Sequence, residues 1–82
     1  MLRQKTRDDR MNAAETLAFA DRLHTAGKLT EAIAQYREAV RADPRLYLAW
    51  YGLGCALYTA AAFADSVTAL RRATTTAPTA RP

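Results

Sequence analysis

Residues 50–57 read WYGLGCAL, and residues 16–23, which lie 34 positions earlier, read TLAFADRL. At this offset Gly54 falls on Ala20 and Leu57 falls on Leu23, so small and large apolar residues coincide. The coincidence continues along the chain and pairs Leu53 with Phe19, Phe63 with Leu29, Leu70 with Tyr36, Ala73 with Ala39 and Pro78 with Pro44. A repeat of this length indicates a unit that cannot bury its apolar face alone and therefore stacks on its neighbour.

The recurring residues resemble the tetratricopeptide repeat (TPR) pattern. The second copy carries Trp50, Leu53-Gly54 and Leu57 at the spacing of that pattern, and it continues with Ser66, Leu70, Ala73 and Pro78. Leu57 and Ser66 stand where the pattern has Tyr and Ala. The first copy has Thr16 in place of the tryptophan and then matches again at Ala20, Leu23, Gly27, Ala32, Tyr36, Ala39 and Asp43-Pro44.

The resemblance implies an all-α fold of two TPR helix-turn-helix hairpins, an α-α superhelix or solenoid of about four helices. It divides the chain into a basic N-terminal tail or helix extension at residues 1–12, a first repeat at 13–46, a second repeat at 47–80 and a C-terminal tail at 81–82. It also implies that the chain binds a partner and has no chemistry of its own.

Local chemistry predicts where the helices begin and end. Asn12 followed by Glu15 predicts a capping box at the start of a first helix that runs to about residue 26. Gly27 supplies the left-handed residue that ends this helix, and Thr30 is expected to cap a second helix that ends at Asp43-Pro44. The third and fourth helices are expected at about Arg45–Ala60 and Phe63–Thr75.

The turn of the second hairpin is less well specified than that of the first. It reads Ala60-Ala61-Ala62-Phe63-Ala64 and contains no glycine, so Ala61 would adopt the left-handed conformation at a cost of roughly 1 to 2 kcal/mol. Because alanine is the best helix former, the chain could instead continue as one helix from residue 45 to residue 75. The last helix would then pack on another copy in a domain-swapped dimer.

The hairpins are expected to pack through small residues where the helices cross. These residues are Ala20, Ala32, Ala39, Gly54, Ser66 and Ala73. Larger side chains are expected to fill the space around the crossings, namely Phe19, Leu23, Tyr36, Leu53, Leu57 and Leu70. Enlarging Gly54 to Leu should therefore overpack the core.

Composition limits the function classes. The chain has 82 residues, about half of them apolar, which makes one small domain with a limited core. No secretory signal and no run long enough to span a membrane is present, so we expect a cytoplasmic protein. The single cysteine, Cys55, excludes an internal disulfide. The net charge of +4 is concentrated near the ends without interleaved aromatic residues, which makes nucleic-acid binding a weak alternative.

The resemblance implies that partner binding takes place on the concave surface lined by the first helix of each repeat. The matching positions are Ala14, Leu17, Asp21, His24, Thr25, Leu48, Tyr51, Cys55, Tyr58 and Thr59. The predicted groove consists of Leu17, Asp21, His24, Leu48, Tyr51, Cys55 and Tyr58. Members of the family that grip a C-terminal carboxylate need Lys, Arg and Asn at several of these positions, and none is present here. A carboxylate clamp is therefore disfavoured.

The groove offers apolar and aromatic area instead. Residues 47–58 contain no charge, and once Trp50, Leu53 and Leu57 are assigned to the core, an apolar face remains. Exposed Tyr and Leu at helical spacing suit an amphipathic helix or an extended peptide. Alternatively, the N-terminal segment or a second copy of the chain covers this face.

A catalytic hypothesis uses Asp21, His24 and Cys55, which share the predicted groove and form a nominal Cys-His-Asp set. No glycine-rich turn or helix N-terminus beside Cys55 offers an oxyanion site, and the groove is open to water. We therefore predict that the protein is not an enzyme and that it needs no cofactor or metal.

The sequence thus predicts an interaction module that binds a protein or peptide and associates with itself. Two repeats are fewer than the three or so that a stable stack needs, which favours a homo-oligomer. Two alternatives stay open. The chain could be a docking or regulatory segment of a larger enzyme assembly, or a weak nucleic-acid binder through its basic ends.

Overall fold

The structure is a computed structural model that describes residues 12–77, in which the chain forms four helices. They are α1 (Ala13–Thr25), α2 (Leu29–Ala42), α3 (Tyr47–Thr59) and α4 (Phe63–Thr76). Helix α1 packs on α2 and α3 packs on α4, and α2 joins the two hairpins by packing on α3. The all-α prediction is confirmed. The predicted tails and Pro78 fall outside the described residues, apart from Asn12.

The first hairpin begins and turns as the sequence predicts. The Asn12 side chain accepts from the Glu15 N–H at 2.9 Å, and the Glu15 carboxylate accepts from the Asn12 N–H at 3.1 Å, which completes a capping box. Gly27 has a φ of 80°. The Gly27 N–H donates to the His24 carbonyl and the Lys28 N–H to the Leu23 carbonyl, which is the Schellman pattern that ends a helix.

Two predicted helix starts are wrong. Thr30 does not cap α2, because the helix begins at Leu29 with Lys28 as the N-cap residue and no side-chain cap. The Schellman turn ends at Lys28, whose carbonyl already accepts the first helical N–H, so no position is left for a separate cap. Arg45 lies outside α3, since its N–H donates to the Asp43 side chain in a tight turn.

The small residues predicted at the helix crossings are all buried. Ala20, Ala32 and Ala39 have no exposed surface, and the Ser66 hydroxyl donates to the Gly54 carbonyl at 2.8 Å. Among the large residues, Tyr36, Leu53 and Leu57 are buried in one cluster with Leu23 packed against it. Phe19 and Leu70 are only partly buried. By repeat register each of them lies on the side of its hairpin that faces away from the other hairpin of residues 12–77.

Tyr36 fills the junction between the two hairpins. It is the largest side chain with almost no exposed surface, and its ring lies against Gly52 of α3. A Cβ atom built on Gly52 would lie 2.4 Å from Cε1 of Tyr36, which is far inside van der Waals contact. The absence of a side chain at Gly52 therefore permits α3 to approach the ring.

The second hairpin is closed in spite of its alanine-rich turn. Ala61 has a φ of 65°, and the Ala61 and Ala62 N–H groups donate to the Tyr58 and Leu57 carbonyls. This pattern matches the turn at Gly27, but here a residue with a Cβ occupies the left-handed position. Burial of the α3–α4 contact has overridden the local preference for a continuous helix.

We predict that Ala61→Gly raises the free energy of unfolding by about 1 kcal/mol. Glycine removes the steric cost of the left-handed conformation, and its greater conformational entropy in the unfolded chain offsets part of that gain. Gly27→Ala is the matched control and should lower stability by about 1 kcal/mol. Its new Cβ would meet nothing within 4 Å, so only the backbone conformation is tested. Urea denaturation followed by circular dichroism measures both. Equal stability of all three proteins would contradict this account of the turns.

We also predict that Gly52→Ala destabilises the chain by about 1 to 3 kcal/mol through overpacking against Tyr36. Gly54→Ala is the comparison, since its Cβ would meet mainly the side chain of Leu70. Leu70 is only partly buried and can move, so the cost should be smaller. Thermal melts of both variants measure which substitution lowers stability more. A larger loss for Gly54→Ala than for Gly52→Ala would show that the Tyr36 ring is not rigidly held.

Candidate functional site

The predicted groove residues lie on α1 and α3. Helix α1 carries Leu17, Asp21 and His24, and α3 carries Leu48, Tyr51, Cys55 and Tyr58. The two sets have different surroundings, because the α1 set is tied to the packed junction and most of the α3 set is exposed.

The α1 set surrounds the buried tyrosine. The Tyr36 hydroxyl donates to the Asp21 carboxylate with an O···O distance of 2.5 Å. The His24 ring lies edge-on to the Tyr36 ring, with centroids 6.1 Å apart and planes at 88°. Leu17 packs against both core clusters. These three side chains therefore support the fold.

The environment of Tyr36 holds its hydroxyl in the neutral form. Burial raises the pKa of Tyr36 well above its ordinary value, and the hydrogen bond to the Asp21 carboxylate and its negative charge raise the pKa further. A neutral phenol can donate to Asp21, whereas a phenolate would face a carboxylate at short range.

The α3 set presents an exposed apolar surface. Leu48, Tyr51 and Tyr58 are 48%, 56% and 64% exposed, and Cys55 is a partly buried free thiol. The Tyr58 ring packs edge-on against the Phe63 ring at 5.3 Å between centroids. Within residues 12–77, every large hydrophobic side chain in the exposed class belongs to the second hairpin, and the set is Leu48, Tyr51, Tyr58, Phe63 and Val67.

Sequence reasoning missed Phe63 and Val67 as part of this surface. The signal was present in the repeat, because Val67 matches Ile33 of α2, which is partly buried against the core cluster. Within residues 12–77, the second hairpin covers Ile33 in the first repeat, while the equivalent Val67 in the second repeat is exposed. Gly52 was missed as well, because its partner Tyr36 is remote in sequence and only tertiary packing brings the two together.

A concavity lies between α2 and α4, with Trp50 in it. The Trp50 indole N–H donates to the Pro44 carbonyl at 2.8 Å, and the Arg72 guanidinium lies 4.9 Å from the indole ring centroid. Arg37 and Arg41 line the α2 side, and Arg41 pairs with Glu38. The Arg72 guanidinium covers part of the face of the Trp50 ring.

Asp21, His24 and Cys55, the nominal catalytic set, are not arranged as a hydrogen-bonded triad. Asp21 accepts its hydrogen bond from Tyr36, and between residues 12 and 77 no hydrogen bond joins Asp21, His24 and Cys55 to one another. In the same range, no group of three or more His, Cys, Asp or Glu side chains is arranged to hold a metal ion. No helix in the described part of the chain is long and apolar enough to cross a membrane.

Two stacked helix hairpins joined by a short turn define a helical repeat protein of the interaction-module class. A family model described as TPR repeat matches residues 20–60, which is half of the chain. The chain belongs to the TPR family, whose repeats generally mediate protein–protein interaction and are typically not catalytic. Neither a search of curated proteins nor a search of solved structures found a match.

We predict that the stability of the protein falls as the pH rises above about 10, where Tyr36 ionises in the unfolded chain but not in the folded one. The folded state then binds more protons than the unfolded state, so raising the pH favours unfolding. Tyr36→Phe should remove this part of the pH dependence. Urea midpoints at neutral and alkaline pH measure the difference, and identical slopes in both proteins would contradict the environment assigned to Tyr36.

Proposed function

We propose that the protein is a non-catalytic module that binds a peptide or an amphipathic helix on the apolar surface of the second hairpin. The concentration of exposed large hydrophobic residues in that hairpin supports the proposal. The first hairpin of the described chain exposes none of this class, although it has the same fold. Exposed apolar residues that cluster on one side of a small domain are typical of an interaction site.

The chemistry of α3 favours an apolar partner surface. The helix carries no charged residue, and Tyr51 and Tyr58 offer large contact area with few rotatable bonds. Asp21 is the one formal charge among the seven groove residues, so a partner carboxylate would find no cation there. An apolar stripe on a helix, with residues spaced at three and four, fits these positions best.

The alternative functions differ in their response to salt. Binding through the basic ends to nucleic acid would weaken steeply with added salt, whereas binding to the apolar surface would not. A docking role within a larger enzyme assembly would use the same surface with a fixed partner. The free thiol of Cys55 suits a reducing compartment, and we place the interaction in the cytoplasm.

The double substitution Tyr51→Ala with Tyr58→Ala tests the surface. The probe is a fluorescent helical peptide selected against the wild-type protein from a displayed library. We expect its affinity to fall at least about tenfold, with helicity and melting temperature nearly unchanged, because both side chains lie outside the core.

Leu57→Ala is the control for a core effect, since Leu57 is buried, and it should lower stability by about 2 to 5 kcal/mol. Unchanged peptide affinity in the double variant, or loss of its fold, would show that Tyr51 and Tyr58 do not form a binding surface.

We further propose that the chain associates with itself, and a domain-swapped dimer is one possible form. In that form α3 and α4 would merge through the Ala61 turn and α4 would pack on another copy. Ala61→Gly favours the closed turn, so it should lower the fraction of a swapped dimer measured by sedimentation. An unchanged dimer fraction would show that copies associate through exposed surfaces instead.

A further inference from the structure

The concavity between α2 and α4, called the α2–α4 groove from here on, has a volume of about 510 Å³. Its two walls are the second helices of the two hairpins, whereas the predicted groove residues lie on the first helices, α1 and α3. Both hairpins therefore contribute to the α2–α4 groove, and it is a separate surface from the exposed apolar residues of α3.

The floor of the α2–α4 groove is apolar. The buried side chains that line it are Val40, Leu53, Leu57 and Ala69. Trp50 lies among them, and its indole N–H already donates to the Pro44 carbonyl at 2.8 Å. A side chain that enters this groove therefore meets hydrocarbon and aromatic carbon rather than a free indole donor.

Arginines dominate the rim of the α2–α4 groove. Arg37 and Arg41 lie about one turn apart on the α2 wall, and Arg72 lies on the α4 wall. All three side chains belong to exposed residues. Asp65 is the one carboxylate that lines the groove within residues 12–77, and it lies about two turns before Arg72 on α4. The rim thus has an excess of positive charge on both walls.

Two of these guanidinium groups form no ion pair within residues 12–77. Arg41 pairs with Glu38 on its own helix, while neither Arg37 nor Arg72 pairs with a carboxylate in this range. The Arg72 guanidinium lies 4.9 Å from the centroid of the Trp50 ring. Because a guanidinium carries five N–H donors, contact with a ring face leaves donors for a carboxylate.

The charge of the chain argues against its own segments as occupants of the α2–α4 groove. Residues 1–11 contain four basic and two acidic residues, and residues 78–82 contain one basic and no acidic residue. A second copy of the chain would also bring a net charge of +4. Like charges repel, so the arginine rim favours an acidic occupant from another molecule.

We propose that the α2–α4 groove binds an acidic segment of a partner protein, in which an apolar side chain is flanked on both sides by carboxylates. The apolar side chain contacts the floor, and the flanking carboxylates pair with Arg37 on one wall and Arg72 on the other. Nucleic acid fits this groove less well, since bases stack on open aromatic faces and Arg72 covers part of the Trp50 face. The inference does not rest on the proposed function, because it concerns a different surface.

Titration of the whole chain with a short fluorescent peptide, in which each leucine is flanked by glutamates, tests the proposal. We expect binding that weakens with added salt and that changes the fluorescence of Trp50, the one tryptophan of the chain. Two matched peptides, with glutamine for each glutamate or serine for each leucine, should bind at least about tenfold more weakly.

The double substitution Arg37→Gln with Arg72→Gln should lower the affinity for the acidic peptide about tenfold, with unchanged helicity by circular dichroism. Arg22→Gln with Arg71→Gln is the matched control, because it removes the same net charge at exposed arginines that do not line the groove. It should change the affinity less than about twofold. If the Arg37 and Arg72 variant lost helicity, Arg37→Gln alone would give the same test with the Trp50 contact intact.

Equal weakening by the control variant would show attraction to net charge alone, and would overturn the proposal. Loss of binding in Tyr51→Ala with Tyr58→Ala would place the peptide on the α3 surface and would also overturn it.

Other occupants have their own signatures, and each would overturn the proposal. A single-stranded oligonucleotide that bound more tightly than the peptide, and lost affinity with Arg37 and Arg72, would make the groove a nucleic-acid site. A tenfold gain in peptide affinity in Asp8→Asn with Asp9→Asn would identify the N-terminal segment as the occupant. Displacement of the peptide at rising protein concentration would identify a second copy. None of these results changes the test of the α3 surface with the selected helical peptide.

Discussion

The contact between the Tyr36 ring and the bare backbone of Gly52 is the constraint on which the rest of the molecule depends. It seats α3 against α2 and buries almost the whole ring. The same ring carries the hydrogen bond to Asp21 and the edge contact with His24, so the first helix is tied to the junction as well. One side chain thereby links three helices, and a protein this small has little other core with which to replace it.

This junction also explains why the two ends of the molecule differ. Each hairpin has one side that can pack on the hairpin after it in the chain and an opposite side that can pack on the hairpin before it. At the junction, the first hairpin uses the former side and the second hairpin uses the latter. What is left is a charged end at α1, where Glu15 and Arg22 replace small residues, and an apolar end at Tyr51 and Val67. The exposed apolar surface is thus the side of the second hairpin that corresponds, by repeat register, to the junction side of the first.

The repeat register made much of the fold predictable. Because the crossing residues, Asn12 and Gly27 each have a local signal, the core and most helix ends followed from the sequence. The left-handed Ala61 followed only from its register with Gly27, against its local helix preference. Thr30 and Arg45 were misplaced because a Schellman turn and an Asp43 turn occupy residues that propensity alone would give to a cap or a helix. The role of Gly52 could not be predicted, since it depends on a partner from another helix. The binding role of the groove residues stays a prediction.

The central claim, that Tyr36 packs on Gly52 to join the hairpins, can be tested most directly by nuclear Overhauser spectroscopy at a concentration below that of self-association. The account predicts strong cross-peaks between the ring protons of Tyr36 and the α-protons of Gly52, with weaker ones to the His24 ring. A Tyr36 ring that shows contacts only within α2, and none to α3, would contradict the account.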